Sequence, residues 1–276
     1  MSEQKLKIAY SGIEGAFANI AAKHIFPSGE FIAYKDFKSA WNAVNSSMAD
    51  YAVLPIENSY AGEIAQVTDL IFTGNLFIND VYGLKIQQNL LGIKDAKLQD
   101  IKKVISHPQA LEQSAKFLES HGIETVASEN TARAAREVSV LNDKSVGAVA
   151  SILTAELYNL DVIQKDINES KDNTTRFAVI SKKEGSLYNK KHSTVIMMFT
   201  VKNETGSLIK ALNVISAHGF NMDVLRSRPL KGLAWQYYFY VEIEGNSSST
   251  EFFKMLESLR QKCESIKIVG SYNKNE

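Results

Sequence analysis

The chain has 276 residues, of which 45% are hydrophobic and 22% charged, with a formal net charge of zero and one cysteine, Cys263. A balanced charge argues against a nucleic-acid binder that relies on backbone electrostatics, and a single cysteine excludes an intramolecular disulfide. The polar N-terminus and the lack of a long apolar stretch predict a cytoplasmic protein with no membrane partner.

The first part of the chain alternates short apolar strands with helical runs. Strands are predicted at residues 6–10, 31–34, 51–56, 104–105, 125–128 and 146–150, and helices follow them. Residues 76–93 form a longer strand-like stretch that contains Gly83 and the polar run Gln87-Gln88-Asn89. This alternation predicts an α/β fold built around parallel sheet.

Polar residues stand where several of these strands end and the next helices begin. They are Glu57, Asn58, Ser59, Ser106, His107, Gln109, Asn130 and Thr131. Strand ends and the partly positive starts of helices are places where small anions bind, so these residues predict a cleft for a negatively charged ligand. The alternative is that they only cap helices, although a cap does not require Glu57. His107 is a possible general base, but no nucleophile stands at a suitable spacing.

The segment Asp172-Asn173-Thr174-Thr175-Arg176-Phe177 leads into an apolar strand at residues 177–180. Strand backbone is rigid, which suits a site that must be held accurately. The planar guanidinium of Arg176 matches a carboxylate or phosphate. The hydroxyl of Thr175 is too weak an acid to ionise at pH 7, but it can direct a hydrogen bond. The pair predicts binding of a small anion, with an ordinary turn as the alternative.

The second part of the chain has a different texture. Residues 182–192 are polar, with Gly185 and four lysines, and predict a linker. Beyond them, strands and amphipathic helices follow in the order βαββαβ, and the alternating segment 235–244 is interpreted as a half-buried strand. This order predicts a ferredoxin-like domain.

Four motifs in this order resemble those of the prephenate dehydratase family. They are Gly12-Ile13-Glu14-Gly15-Ala16-Phe17, Leu54-Pro55-Ile56-Glu57-Asn58-Ser59, Ser106-His107-Pro108-Gln109 and Asn173-Thr174-Thr175-Arg176-Phe177. The similarity covers nearly the whole chain. Each string is short, but four strings in family order before a ferredoxin-like domain form a specific pattern.

The resemblance implies a division into domains. A two-lobed catalytic domain, folded like type II periplasmic binding proteins, would occupy residues 1–182, with one lobe at about 1–80 plus 175–182 and the other at about 81–174. A linker at 183–192 and a ferredoxin-like ACT regulatory domain at 193–276 would follow.

The resemblance also implies residue roles. Thr175 would be the catalytic hydroxyl and Arg176 a substrate ligand. The other residues expected in the same cleft are Glu57, Asn58, Ser59, Ser106, His107, Gln109, Asn130 and Thr131. A regulatory site for phenylalanine would use Gly206, Ser207, Leu208, Asn221, Leu225, Ser227 and Arg228. No metal and no cofactor are expected.

Members of that family convert prephenate to phenylpyruvate, with loss of CO2 and water, in phenylalanine biosynthesis. The resemblance therefore implies a lyase that phenylalanine inhibits and that assembles as a homodimer or homotetramer. Two alternatives stay open. One is an arogenate dehydratase, whose substrate carries an ammonium in place of the keto group. The other is a non-catalytic amino-acid-sensing protein.

Two segments depart from the family pattern. Ile13, Ala16 and Ala18 stand where proline, threonine and serine are usual. Arg226 stands where the family has glutamate, just before an intact Ser227-Arg228-Pro229. A charge reversal beside a zwitterionic ligand predicts an altered affinity for phenylalanine. If Arg226 points to solvent instead, the change is silent.

Overall fold

The structure, a computed structural model, describes residues 5–185 and 194–274. The first part of the chain alternates strands and helices, with a short 3₁₀ turn at Leu98–Asp100. In chain order its elements are β1 (Lys7–Ser11), α1 (Phe17–Ile25), β2 (Glu30–Tyr34), α2 (Phe37–Asn45), β3 (Tyr51–Asn58), β4 (Gly62–Glu63), α3 (Ala65–Thr73), β5 (Phe77–Lys85), β6 (Asn89–Gly92), β7 (Lys103–Ser106), α4 (Pro108–Gln113), α5 (Ala115–Ser120), β8 (Glu124–Ala127), α6 (Thr131–Leu141), β9 (Val146–Ala150), α7 (Ile152–Leu157), β10 (Asp161–Gln164) and β11 (Thr174–Ser181).

The last part of the described chain has the predicted order βαββαβ. Its elements are β12 (Thr194–Thr200), α8 (Ser207–Ala217), β13 (Met222–Pro229), β14 (Tyr237–Glu244), α9 (Thr250–Arg260) and β15 (Ser265–Tyr272). None of the described helices combines the length and the apolar character that a membrane span requires.

The described residues form two compact units. The first comprises the residues up to Val67 together with Tyr82–Phe177, and the second comprises Thr68–Val81 together with the residues from Ala178 onward. The chain passes between the units within α3, β5 and β11. The units therefore do not follow the predicted boundary at residue 182, and most of the predicted linker, residues 186–192, lies outside the described residues.

The first unit contains two sheets. In one, β1 pairs in parallel with β2 and β3, and the beginning of β11 lies beside β3. The other has the order β10-β6-β9-β7-β8, in which β7 is parallel to β8 and β9, while β6 and β10 run antiparallel. The predicted α/β fold is confirmed. The stretch 76–93 is two strands, β5 and β6, because the polar residues 87 and 88 interrupt it.

Local sequence explains where the helices of this unit begin. The side chain of Asp36 accepts a hydrogen bond from the backbone N–H of Ser39, and that of Asn130 does the same for Arg133. Such caps satisfy N–H groups that have no partner inside the helix. Helix α6 begins at Thr131, shortly after β8 ends at Ala127.

The second unit has the sheet order β13-β14-β12-β15, with β5 next to β15 through the pair Gly270 and Ile78. The order and the antiparallel pairing are those of a ferredoxin-like fold, as predicted. Helices α8 and α9 and one face of the sheet form a single apolar core, which includes Met197, Val241 and Leu259.

The other face of this sheet is also covered, which corrects the interpretation of segment 235–244 as half-buried. Tyr238, Tyr240 and Glu242 alternate with the core residues and are buried as well. The ring of Tyr238 stacks on Phe72, with ring centroids 4.1 Å apart. Trp235 precedes β14 and is 78% exposed. Residues from the α3 segment therefore supply a layer that the strand pattern alone did not predict.

Candidate active site

A cavity of about 150 Å³ in the first unit collects most of the predicted site residues. It is lined by Ala16, Phe17, Asn58, Ile86, Gln88, His107, Gln109, Ala110, Gln113, Asn130, Thr131 and Thr175. Thr175, Asn58, His107, Gln109, Asn130 and Thr131 are the predicted members. All of the lining side chains are neutral or, in the case of His107, weakly basic.

The hydrogen bonds around the hydroxyl of Thr175 fix which role it plays, donor or acceptor. Asn58 accepts hydrogen bonds at Oδ1 from the backbone N–H groups of Tyr60 and Ala61, at 3.0 and 2.9 Å, so the orientation of its amide is fixed. Its Nδ2 then donates to Oγ1 of Thr175 at 2.9 Å. Because this oxygen accepts from Asn58, the hydroxyl hydrogen of Thr175 is left to donate to a ligand.

A buried chain of amides continues from Asn58 across the cavity wall. Asn58 Nδ2 also donates to Oδ1 of Asn173 at 2.7 Å, and Asn173 Nδ2 donates to Oε1 of Gln113 at 2.9 Å. Gln88 Nε2 approaches the same Oε1 at 3.5 Å. Sequence reasoning missed Gln113 and Gln88 as site residues. The available signal was a polar Gln88 inside an apolar strand-like stretch, whereas Gln113 lies within a helix and carries no motif.

His107 serves as the cap of α4. Its Nδ1 accepts from the backbone N–H of Gln109 at 3.3 Å, and Pro108 occupies the first helical position. Burial lowers the pKa of His107 below its ordinary value of 6.5, so the ring is neutral at pH 7 with its hydrogen on Nε2. The Gln109 side chain donates from Nε2 to Oδ1 of Asn58 at 3.1 Å. The two residues thus support the cavity wall, and His107 is a cap and a potential donor.

Two full-length helices begin at the cavity. Ala16, the cap of α1, makes no side-chain hydrogen bond to the helix, and Phe17 follows it in the lining. Asn130 caps α6, and Thr131 is its first residue. First-turn N–H groups and the helix dipole favour negative charge. Ala16 and Phe17 have no polar side-chain atoms, so the polar groups of these two residues are those of the backbone.

Comparison of the sequence with models of protein families gives a match that includes the cavity residues. A family model described as prephenate dehydratase matches residues 8–185. This chain belongs to the prephenate dehydratase family. Its relatives include a bifunctional chorismate mutase/prephenate dehydratase from Aquifex aeolicus, 34% identical over 99% of this chain and 75% of the relative. Another is arogenate dehydratase/prephenate dehydratase 1 of Arabidopsis thaliana, 33% identical over 98% of this chain and 72% of the relative.

Solved structures share the fold over nearly the whole chain. Prephenate dehydratase from Arthrobacter aurescens in complex with L-Phe has a TM-score of 0.89 at 24% identity, covering 98% of this chain and 90% of that one. A protein described as a novel type of quorum quenching acylase has a TM-score of 0.89 at 30% identity, covering 98% of both chains. Proteins that share this fold are therefore described with different activities. The residues of the site must be used to distinguish between these activities.

Four predicted site residues are not among those that line the cavity, and Arg176 is one of them. Arg176 Nη1 forms an ion pair with Oε2 of Glu57 at 2.9 Å, and the two side chains are 23% and 24% exposed. Successive residues of a strand face opposite sides of a sheet. Arg176 therefore points away from the side that Thr175 faces, and Glu57 likewise points away from that of Asn58.

Ser59 and Ser106 hold backbone segments together. Ser59 Oγ donates to the carbonyl of Asp172 at 3.1 Å and accepts from the N–H of Thr174 at 2.9 Å. Ser106 is fully buried and donates to the carbonyl of Val149 at 2.6 Å. Both serines position the strands that carry the site, and neither lines the cavity.

The predicted phenylalanine residues are only partly brought together. Leu225 and Ser227 pair with Val241 and Phe239, on the sheet face that packs on the helices. Arg228, one residue further, lies on the opposite face and donates from Nε to Oδ1 of Asp69 at 3.0 Å. In this arrangement Arg228 is engaged with Asp69, and its role in binding phenylalanine stays a prediction.

The other predicted regulatory residues lie around α8 and the start of β13. Gly206 caps α8 with a φ of 80°, followed by Ser207 and Leu208 in the first turn. A Cβ there would be 3.9 Å from the nearest atom, so the positive φ rather than crowding requires glycine. Asn221 is exposed, with Nδ2 3.3 Å from Oε2 of Glu244.

Arg226 does not point to solvent. Its guanidinium carbon lies 5.7 Å from the ring centroid of Tyr240, on the covered face of the sheet. A guanidinium over an aromatic face is a cation–π contact. The side chain therefore contacts the protein, and the effect of Arg226 on phenylalanine affinity stays a prediction. Within residues 5–185 and 194–274, no cluster of three or more His, Cys, Asp and Glu side chains could hold a metal ion.

Proposed function

We propose that this protein is a prephenate dehydratase, a lyase that converts prephenate to phenylpyruvate with loss of CO2 and water. Family membership supports this reaction class. The observation that carries the proposal is the Thr175 hydroxyl, which Asn58 holds as a hydrogen-bond donor at the wall of a neutral cavity.

The reaction needs charge placement more than reactive side chains. The bond between the ring and its carboxylate breaks, CO2 leaves, and the electron pair enters the ring as the ring hydroxyl departs. The hydroxyl leaves as hydroxide, which a proton from solvent converts to water. Thr175 donates a hydrogen bond to this oxygen as it leaves, an acid assistance typically worth roughly 10²–10⁴-fold. The starts of α1 and α6 and the Gln113 amide supply donors for the substrate's oxygens.

The neutral lining has a role of its own. Among the described residues, no lysine or arginine lines the cavity to stabilise the departing carboxylate by an ion pair. A carboxylate removed from water there is destabilised relative to the dispersed charge of the transition state. Glu57 and Arg176 pair with each other and point away from the cavity, so neither takes part in a chemical step.

An acylase reaction fits this geometry less well. Hydrolysis through a threonine requires a base that removes the hydroxyl proton. In the described part of the chain, Thr175 Oγ1 instead receives a hydrogen bond from the Asn58 amide. His107 uses Nδ1 for the backbone of Gln109.

The decisive experiment follows phenylpyruvate by its ultraviolet absorbance after addition of prephenate. An N-acylated amine, assayed for acid release, runs in parallel. We expect phenylpyruvate and no acid release. Acid release without phenylpyruvate would replace the proposal by an acylase, and a protein that binds prephenate without turnover would be a sensor.

We further propose that the ferredoxin-like domain binds phenylalanine and that this inhibits the enzyme. Support comes from the Arthrobacter aurescens complex, whose description names L-Phe. The candidate contacts are Gly206, Ser207, Leu208, Asn221, Leu225, Ser227 and Arg228. Calorimetric titration with phenylalanine tests this, and no heat of binding would leave the domain without a sensing role.

The assembly and the compartment are proposals of the same kind. We propose a cytoplasmic homodimer or homotetramer, in keeping with the family resemblance. Light scattering after gel filtration measures the mass of the particle directly, and a mass near 30.7 kDa, that of one chain, would contradict the oligomer.

A further inference from the structure

We propose that Gln113 donates a hydrogen bond to the side chain of the substrate and so makes the enzyme selective for prephenate over arogenate. This inference rests on the proposed dehydratase function. The two substrates differ at one group. Prephenate has a keto oxygen, which only accepts hydrogen bonds, whereas arogenate has an ammonium, which only donates them and carries a positive charge.

Gln113 presents a donor to the cavity. Its side chain lines the cavity wall although the residue is only 4% exposed. Its Oε1 accepts from Asn173 Nδ2 at 2.9 Å and is approached by Gln88 Nε2 at 3.5 Å. The oxygen is therefore committed to the protein, and Nε2 is the end of the amide left for a ligand.

This orientation is set by the backbone. The N–H groups of Tyr60 and Ala61 fix the Asn58 amide, Asn58 fixes Asn173, and Asn173 fixes Gln113. Rotating Gln113 by half a turn would place its NH2 group against that of Asn173. Two buried donors would then face each other, each without an acceptor, at a cost of about 1–3 kcal/mol per unsatisfied group.

A donor at this position matches a keto oxygen and repels an ammonium. The cavity offers no compensation for the positive charge, because no aspartate or glutamate of residues 5–185 and 194–274 lines it. Its acceptors are neutral amide and hydroxyl oxygens. An ammonium removed from water without a carboxylate partner is strongly disfavoured. Both features of the wall therefore select the keto acid.

One feature of the cavity opposes this selection. Gln88 lines the cavity, and its Oε1 is buried without a hydrogen-bond partner among the described residues. That oxygen would accept from a donor. It is a single neutral acceptor, and the ring hydroxyl that both substrates share can use it equally. Its contribution therefore does not distinguish the two substrates.

The experiment measures kcat/KM for both substrates, with phenylpyruvate and phenylalanine as the respective products. Hydrogen-bonding sites discriminate strongly against analogues that mispair, so we expect the wild type to favour prephenate by at least about 10²-fold. Gln113→Glu keeps an acceptor for Asn173 and replaces the donor by a negative oxygen. It should shift the ratio toward arogenate by a similar factor.

Two further variants make the result specific. Gln113→Met removes the donor at nearly the same size, and should lower kcat/KM for prephenate by a larger factor than that for arogenate, because both substrates lose the acceptor that holds Asn173 but only prephenate loses a favourable donor. Gln99→Glu adds the same charge at an exposed position and should leave the ratio unchanged. If Gln113→Glu fails to fold by circular dichroism, Gln113→Met decides.

The outcomes separate this inference from the proposed function. A wild type that uses arogenate as well as prephenate, or Gln113 variants with an unchanged ratio, would overturn the role of Gln113 and leave the dehydratase standing. A preference for arogenate would likewise overturn the role of Gln113 and leave the dehydratase standing. No product from either substrate would overturn the dehydratase itself.

Discussion

At the scale of single residues, the hydroxyl of Thr175 is oriented by hydrogen bonds that start at two backbone N–H groups and pass through Asn58. Backbone donors cannot rotate, so the threonine is held as a donor before any substrate arrives. Preorganised donors stabilise developing charge without the cost of reorganisation.

We expect Thr175→Ala to lower kcat by at least about 10²-fold, since the acid assistance is lost. Thr175→Ser keeps the hydroxyl and should retain more of the activity. Steady-state kinetics measures both, and an unchanged melting temperature shows that the fold is intact. A near-normal kcat in Thr175→Ala would exclude the threonine from the chemical step.

Arg176 is next to Thr175 in β11 but faces the other side of the sheet, so we expect it to affect stability and not substrate binding. Because it pairs with Glu57 away from the cavity lining, Arg176→Lys should lower stability by about 1 kcal/mol and leave KM within a factor of about two. Urea denaturation and steady-state kinetics measure the two effects. Glu57→Gln should lower stability in the same way. A raised KM at unchanged stability would show that Arg176 holds a substrate carboxylate.

At the scale of elements, α4 depends on a titratable cap. Nδ1 of His107 accepts from the backbone of Gln109, and this requires the neutral ring. Because burial holds the folded-state pKa below 6.5, the unfolded chain binds more protons in the window below that value. The free energy of unfolding then rises with pH through this window and falls as the solution is acidified.

We therefore expect His107 to contribute a loss of stability between pH 7 and 5.5, at most about 1.4 kcal/mol per pH unit. His107→Asn caps the helix without titrating and should remove this contribution. Urea denaturation at both pH values gives the difference between the two proteins, which cancels the other histidines. An identical pH dependence in both would show that His107 does not titrate in this window.

Strand β15 can approach β5 because residue 270 is glycine. A Cβ on Gly270 would lie 1.9 Å from the carbonyl oxygen of Ile78, and the φ of 157° also disfavours a side chain. We expect Gly270→Ala to lower the free energy of unfolding by about 1–3 kcal/mol, as overpacking does. Gly185→Ala has no atom within 4 Å of the new Cβ and serves as the control. Equal stability of both variants in urea would contradict the close approach.

At the scale of the whole molecule, Asp69 joins residues distant in sequence. It accepts hydrogen bonds from Arg228 and Tyr238 and pairs with Lys231 at 2.8 Å. Lys267 donates to the last carbonyls of α3, including that of Phe72 at 3.1 Å. The second unit is thus built from a short segment of the first half of the chain and from the ferredoxin-like strands.

Burial alone would raise the pKa of Asp69, but hydrogen bonds from Arg228, Lys231 and Tyr238 outweigh it and lower the pKa to about 2. The stabilisation is therefore complete above about pH 4 and is lost as the pH falls towards 2. We expect Asp69→Asn to lower the free energy of unfolding at pH 7 by about 1.5–3 kcal/mol, the range for hydrogen bonds to charged groups.

Denaturation of wild type and Asp69→Asn at pH 7, 4 and 2.5 measures this effect. The difference between the two proteins should shrink as the pH falls from 4 to 2.5. The exposed Asp172→Asn should show no such difference. If Asp69→Asn is as stable as the wild type at pH 7, the cluster around Asp69 does not stabilise the second unit.

Local patterns in the sequence predict most of the strands and helices, and the ordered motifs identify the family. Apolar periodicity and helix caps act over a few residues, so the strands, the helices and the βαββαβ order follow from local pattern. Four ordered motifs identified the family, and through it Thr175, Asn58 and Gln109 in the cavity. The period of two in β11 also contained the information that Arg176 faces away from Thr175.

Only the tertiary structure decided which side chains meet. Asn58 and Asn173 are 115 positions apart, and Asp69 and Arg228 are 159 apart. No local pattern encodes such pairs, since each partner is free in the unfolded chain and gains its neighbour only when the sheets assemble. The same reason kept Gln113 out of the predicted site, because its amide acquires a direction only from the folded hydrogen-bond chain.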